Sequence, residues 1–252
     1  NPYISLDEAF QYIREAGFAI KGWRIQIAPA PEAYELTGSY QYDASYFHQA
    51  LILQKWDNAP LPQGQPDIMP KVNFTNSTLI FSRAANLEIN SLNIVAWNGS
   101  ILMKGYDFKL KNVVFEEEFL NDTRSFITLV DPDNVNINGL DINVRYYNTL
   151  IQVNKEDPET KSLIILNNVQ FILDSTFAVE TAHKSPFLDF QRRYVEKSTY
   201  WTMNNIEMSN FSFTVRNNVN EVHLAKLFWV QGFQGVYFQN FTVQNMNVQF
   251  YF

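Results

Sequence analysis

Three eight-residue stretches decide how this chain folds: Leu87-Glu88-Ile89-Asn90-Ser91-Leu92-Asn93-Ile94, Phe108-Lys109-Leu110-Lys111-Asn112-Val113-Val114-Phe115 and Val135-Asn136-Ile137-Asn138-Gly139-Leu140-Asp141-Ile142. In each, apolar residues alternate up to a central Ser, Asn or Gly, slip by one position across it, and alternate again. Period two is the signature of a strand with one buried face. The slip keeps apolar side chains inside only if the chain bends at the central residue. The left-handed conformation supplies such a bend, and Gly and Asn adopt it most cheaply. The unit is therefore strand, one-residue corner, strand.

The same unit recurs further along the chain. With corners at Ser91, Asn112, Gly139, Asn168, Asn205 and Asn240, all 24 positions at −4, −2, +1 and +3 are apolar, in a chain that is 46% apolar. Second corners fit five residues later, at Asn210 and Asn245. Successive corners lie 21, 27, 29, 37 and 35 residues apart. Short-strand repeats at such periods indicate a solenoid with insertions of variable length. The pattern resembles the right-handed parallel β-helix of the pectate-lyase-like superfamily, over about residues 72–252. That resemblance implies an all-β solenoid of about six or seven coils, with a tight Asn-bearing turn joining two strands of each. A β-sandwich would need more hairpin dipeptides than Asn98-Gly99 and Asn138-Gly139. A leucine-rich repeat would need more Leu and a steadier period.

Residues 1–71 read as an N-terminal cap region. They hold 2 of the 27 Asn and 7 of the 10 Pro. Ser5 with Glu8 three residues on is a capping box, Gly17 a stop, and Leu6, Ala9, Phe10 and Ile13 one apolar face, giving a helix over about 5–16. Pro60 to Pro66 reads as an extended connector. The helix is a plausible lid over the first coil, and nothing comparable follows the last strand. The chain starts at Asn1 and stops on the alternating Val248-Gln249-Phe250-Tyr251-Phe252. This favours a processed or partial chain whose C-terminal end stacks on more protein.

A formal charge of −7 without a basic cluster speaks against a nucleic-acid partner. No apolar run reaches the roughly 18–20 residues of a membrane span. The absence of Cys excludes disulfides, zinc–thiolate sites and thiol catalysis. No cofactor, metal or catalytic residue is assigned. Neither the Gly-His-Gly nor the Arg-x-Lys of polygalacturonase-like enzymes occurs, and His48, His183 and His223 lack matching neighbours. Asp131-Pro132-Asp133 with Asp141 and Arg145 could imitate a calcium-dependent lyase site, or form a solvated turn beside outward-facing residues. Glu116-Glu117-Glu118 and residues 154–161 read as surface loops. The stretch from Glu180 to Thr199, with Phe187, Leu188, Phe190 and Tyr194 beside Arg192 and Arg193, folds back on the solenoid or meets a partner. Asp189 near His183 lacks a nucleophile. Tyr40, Tyr42, Tyr46, Phe47 and Trp56 either stack on sugars or pack the lid.

Six Asn-x-Ser/Thr sequons occur, at Asn73, Asn76, Asn98, Asn121, Asn210 and Asn240, roughly twice the chance number. Asn98 and Asn121 read as the better acceptors, Asn210 and Asn240 as corner residues, and Asn73 and Asn76 as too close for both to be modified easily. The sequence thus leads to one expectation: a non-enzymatic structural module of an extracellular glycoprotein. It would carry covalent N-glycans and self-associate through its C-terminal end into a larger protein or filament. A glycan-binding module and a polysaccharide lyase or hydrolase are the alternatives.

Overall fold

The computed structural model describes residues 5–17, 22–43, 49–60, 67–82, 85–116, 125–144, 149–156, 162–174, 188–192, 205–216, 228–231 and 235–244. Helix α1 (Leu6–Ala16) forms where its cap places it. Glu8 N–H donates to Ser5 Oγ at 3.1 Å, and Ser5 N–H donates to Glu8 Oε2 at 3.3 Å. Gly17, with φ of 89°, ends the helix in a conformation that L-residues rarely adopt. Leu6, Ala9, Phe10 and Ile13 are its buried face.

The rest of the described chain is mostly strand. The strands are β1 (Trp23–Ile27), β2 (Tyr34–Leu36), β3 (Ser39–Asp43), β4 (Gln49–Lys55), β5 (Lys71–Phe74) and β6 (Thr78–Ser82). Next come β7 (Ala85–Asn90), β8 (Asn93–Trp97), β9 (Ser100–Phe115), β10 (Ile127–Val144) and β11 (Ile151–Lys155). The last are β12 (Leu163–Asp174), β13 (Leu188–Arg192), β14 (Asn205–Arg216), β15 (Phe228–Gln231) and β16 (Gly235–Gln244). All belong to one 16-stranded parallel sheet, curled into a half-barrel. The sheet starts at Trp23 rather than at residue 72. The stretch read as a cap region contributes β1 to β4, and β4 pairs directly with β7.

Pairing runs along three ladders. The first joins β1, β4, β7 and then the middle of β9 and β10 and the first halves of β12, β14 and β16. Its register stacks Ile25, Leu53, Ile89, Leu110, Ile137, Leu166, Met208 and Phe238 in one column. The second stacks Tyr34, Val72, Ile94, Phe115, Ile142, Phe171, Phe213 and Val243. The third stacks Tyr42, Phe81, Met103, Leu129, Val153, Phe190 and Val230. From Ile25 to Met208, from Val72 to Phe171 and from Tyr42 to Phe190, each column is one side of a core in which apolar side chains recur at the strand spacing of roughly 4.8 Å. Phe126 fills the space between ladders, edge-on to Phe74 and Phe115 at 5.2 and 5.9 Å.

The first column is buried from Ile25 to Met208, and Phe238 at its end is 50% exposed. Among the described residues, β16 pairs with β14 alone and β15 with β13 alone. The opposite end is covered. Phe10 of α1 lies against Tyr40 and Tyr42 at ring distances of 5.5 and 6.2 Å, and Tyr42 stacks on Phe81.

Candidate functional site: the corner column and the faces beside it

The bend between the first and second ladders is one residue wide and recurs in register. Ser91, Asn112, Asn168, Asn210 and Asn240 have φ of 50–55°, and Gly139 has φ of 74°. An Asn side chain tolerates this region because it can hydrogen-bond locally. Here it bonds between neighbouring strands instead. Asn168 Nδ2 donates to Asn138 Oδ1 at 2.9 Å. Asn210 Nδ2 reaches Asn167 Oδ1 at 3.0 Å and Asn168 Oδ1 at 3.2 Å, and Asn240 Nδ2 donates to Asn210 Oδ1 at 3.0 Å. Gly139 interrupts the column for a steric reason: a Cβ there would lie 2.6 Å from Asn112 Oδ1. Its neighbour Asn138 supplies the acceptor in its place.

The corner expected at Asn205 lies five residues further on. Asn205 is a ladder residue of β14, opposite Leu163 and Gly235, and Asn210 is the left-handed residue of that strand. Two further left-handed corners, Asn76 and Asp131, were not legible as part of the repeat. A second polar stack runs beside the first ladder, where Asp107 N–H donates to Asn86 Oδ1 at 3.2 Å and Asn134 Nδ2 donates to Asp107 Oδ1 at 2.8 Å.

A carboxylate latch holds the lid. Asp7 accepts from Thr37 N–H and Oγ1 at 3.1 and 2.9 Å, from Gly38 N–H at 2.8 Å and from the Tyr40 hydroxyl at 2.8 Å. The Tyr42 hydroxyl donates to Phe10 O at 2.8 Å. Burial alone would raise the Asp7 carboxyl, but the hydrogen bonds from Tyr40, Thr37 and Gly38 hold it below its usual value. Burial, with the hydrogen bond to Asp7, pushes Tyr40 up to about 12, and burial raises Tyr42 as well. No sequence signal marked this latch, because an Asp in the first turn of a helix is ordinary. Tyr40 and Tyr42 are core residues here and present no ring face for a sugar.

The lyase-like residues do not form one site among the described positions. Asp131 is a left-handed corner whose Oδ1 accepts from Glu156 N–H at 2.8 Å, and the buried Ser162 hydroxyl donates to Pro132 O beside it. Asp141 stands exposed on the second ladder, opposite Val114 and Gln170. No group of three or more His, Cys, Asp or Glu among the described residues is placed to hold a metal. Asp189 is buried in β13 and accepts from Gln152 Nε2 at 3.4 Å. Arg145, the three His, Glu117, Glu118, Tyr46, Phe47 and Asn121 lie outside the described residues, as does 180–199 apart from β13.

The sequons fall on contrasting ground. Asn73 Nδ2 donates to Glu35 Oε1 at 2.6 Å, while Asn76 is exposed. Asn98 Oδ1 accepts from Asn76 N–H at 3.2 Å. Asn210 and Asn240 belong to the corner column. No helix among the described residues is long and apolar enough to cross a membrane. No family model matches the chain, and no curated protein or solved structure does.

Proposed function

We propose that the chain is a non-catalytic structural module of an extracellular glycoprotein, built as a right-handed parallel β-helix that associates through its β15–β16 end. The three-ladder register supports the β-helix: long strands such as β9 and β10 pass from one ladder to the next and meet the following strand in parallel each time. The observation that carries the functional reading is the contrast between the two ends. One is closed by α1 and its Asp7 latch, and the other finishes in the described β15 and β16 edges with Phe238 half exposed.

An exposed parallel edge in line with an apolar column is a template for more strand. Because α1 covers the complementary edge, an open head-to-tail fibre requires the lid to leave. With the lid in place, two copies meet β16 to β16 in a closed, isologous contact. Sugars on the outer faces would confine contact to the ends.

Sedimentation velocity over a concentration series tests this. The chain should pass from monomer to dimer as concentration rises. Phe238→Lys should hold it monomeric, because an inward-pointing charge is solvated at a free end and desolvated in a stacked one. A wild type that stays monomeric throughout, or a Phe238→Lys variant that dimerises equally well, contradicts the proposal.

A further inference from the structure

The sequons Asn73-Phe74-Thr75 and Asn76-Ser77-Thr78 begin three residues apart, and the fold treats them oppositely. Both polar side chains of the first are tied to one carboxylate. Asn73 Nδ2 donates to Glu35 Oε1 at 2.6 Å, and Thr75 Oγ1 donates to Glu35 Oε2 at 3.0 Å. Asn73 Oδ1 is buried with no hydrogen-bond partner. A sugar on the side-chain nitrogen creates a secondary amide, which strongly prefers the trans form. The trans form sets the sugar carbon on the side of Oδ1. On Asn73 that is where the oxygen has no access to solvent.

Asn76 is the reverse case. Its φ of 52° turns the chain between β5 and β6, and its side chain is exposed with no hydrogen bond among the described residues. Its backbone N–H is satisfied separately, by Asn98 Oδ1. Asn210 is exposed too, but its Nδ2 is held by two carbonyl oxygens, and the column continues through its Oδ1 to Asn240. Replacing one of its N–H groups by a sugar would break the column in the middle.

We infer that Asn76 is the modified residue of this face, bearing an N-linked oligosaccharide, and that Asn73 and Asn210 stay bare in the folded protein. The inference deepens the glycoprotein reading above and takes its setting from it. In the transfer, Asn76 Nδ2 attacks the anomeric carbon of a lipid-diphosphate-activated oligosaccharide. The N–C bond forms as the C–O bond breaks, its electron pair leaves on the diphosphate, and the amide proton passes to a base of the transferring enzyme.

The test is to direct the chain through the secretory pathway of a eukaryotic host and purify the folded fraction. Enzymatic release of the sugars in heavy-oxygen water then converts each formerly glycosylated Asn to a mass-tagged Asp. The tag should appear at Asn76 and be missing from Asn73 and Asn210. Thr78→Ala should lower the intact mass by one glycan, and Thr75→Ala should leave it unchanged. A tag at Asn73 or Asn210 in folded protein, or its absence at Asn76, overturns the inference. Forced secretion supplies the transferase whatever the native compartment, so this result speaks to the site alone. Native material without sugar would instead remove the glycoprotein reading, and sedimentation judges the end-on contact separately.

Discussion

Asn240 donates through Nδ2 to Oδ1 of Asn210 at 3.0 Å, and Asn210 donates onward to Asn167 and Asn168. Every side-chain amide in this part of the column therefore gives its hydrogen toward the lid and turns its carbonyl toward β16. The left-handed backbone and the hydrogen-bond chain act on the same residues, and substitutions can separate them.

At Asn210, Gly keeps the backbone permissive and removes only the side-chain bonds, whereas Ala also pays for the left-handed conformation. Asn210→Gly is expected to destabilise by about 1–2 kcal/mol, and Asn210→Ala by roughly 1–2 kcal/mol more. Urea unfolding of both variants checks the order. An Ala variant as stable as the Gly variant would mean that the corner is not left-handed in solution.

Gly139 carries a different constraint. A Cβ would meet Asn112 Oδ1 at 2.6 Å, and φ is already 74°. Gly139→Ala is expected to cost about 2–3 kcal/mol through strain and the displaced side chain. Asn112→Gly placed with it should return part of that loss by emptying the space above. A double-mutant cycle in thermal or urea unfolding reads the coupling.

The lid latch titrates at both ends of the pH scale. The folded carboxyl of Asp7 lies below its usual value of 3.8, so its contribution is present above that value and fades as pH falls through the lower, folded value. Tyr40 is raised from 10.0 to about 12, so its contribution is full below pH 10 and is lost as pH rises toward 12. Asp7→Asn should lower stability at pH 7 by about 1–3 kcal/mol and flatten the acid limb of the stability curve. A wild-type acid limb left intact by the substitution would place the titrating group elsewhere.

Asp131 and Asp141, which a lyase-like reading would pair, should behave independently. Asp131→Ala loses the bond from Glu156 N–H at a left-handed corner, with an expected cost of about 1–3 kcal/mol. Asp141→Ala, on an exposed outward position, should stay within about 0.5 kcal/mol of wild type. Calcium titration by calorimetry should give no heat that either substitution removes. A calcium response lost in both variants would unite the two carboxylates in one site.

The part of this architecture that the sequence displays is the part in which side-chain period and backbone bend coincide. Asn112, Gly139 and Asn168 each sit between two alternating apolar pairs, so corner and faces are read together. The two earliest rows escape that reading because 28–33 and 56–70 join their first and second ladders in place of a one-residue corner, and because Tyr40 and Tyr42 serve as core residues. The third ladder escapes because its strands stand among insertions of unequal length, which destroys any fixed period. At Asn205 the pattern is degenerate: Ile206 and Met208 can follow one corner or precede the next. Pairing of Leu166 with Met208 resolves it in favour of Asn210. The contacts of the sequons were illegible in principle, since Glu35 lies 38 residues before Asn73 and meets it only through the pairing of β2 with β5.

The most direct test of the end-on account is hydrogen exchange of the backbone amides at rising protein concentration. Protection should grow in β15 and β16, residues 228–231 and 235–244, while the interior strands β10 and β12 stay unchanged and Phe238→Lys abolishes the increase. Exchange in β15 and β16 that is independent of concentration, or protection that grows instead around α1 and β1, would contradict it.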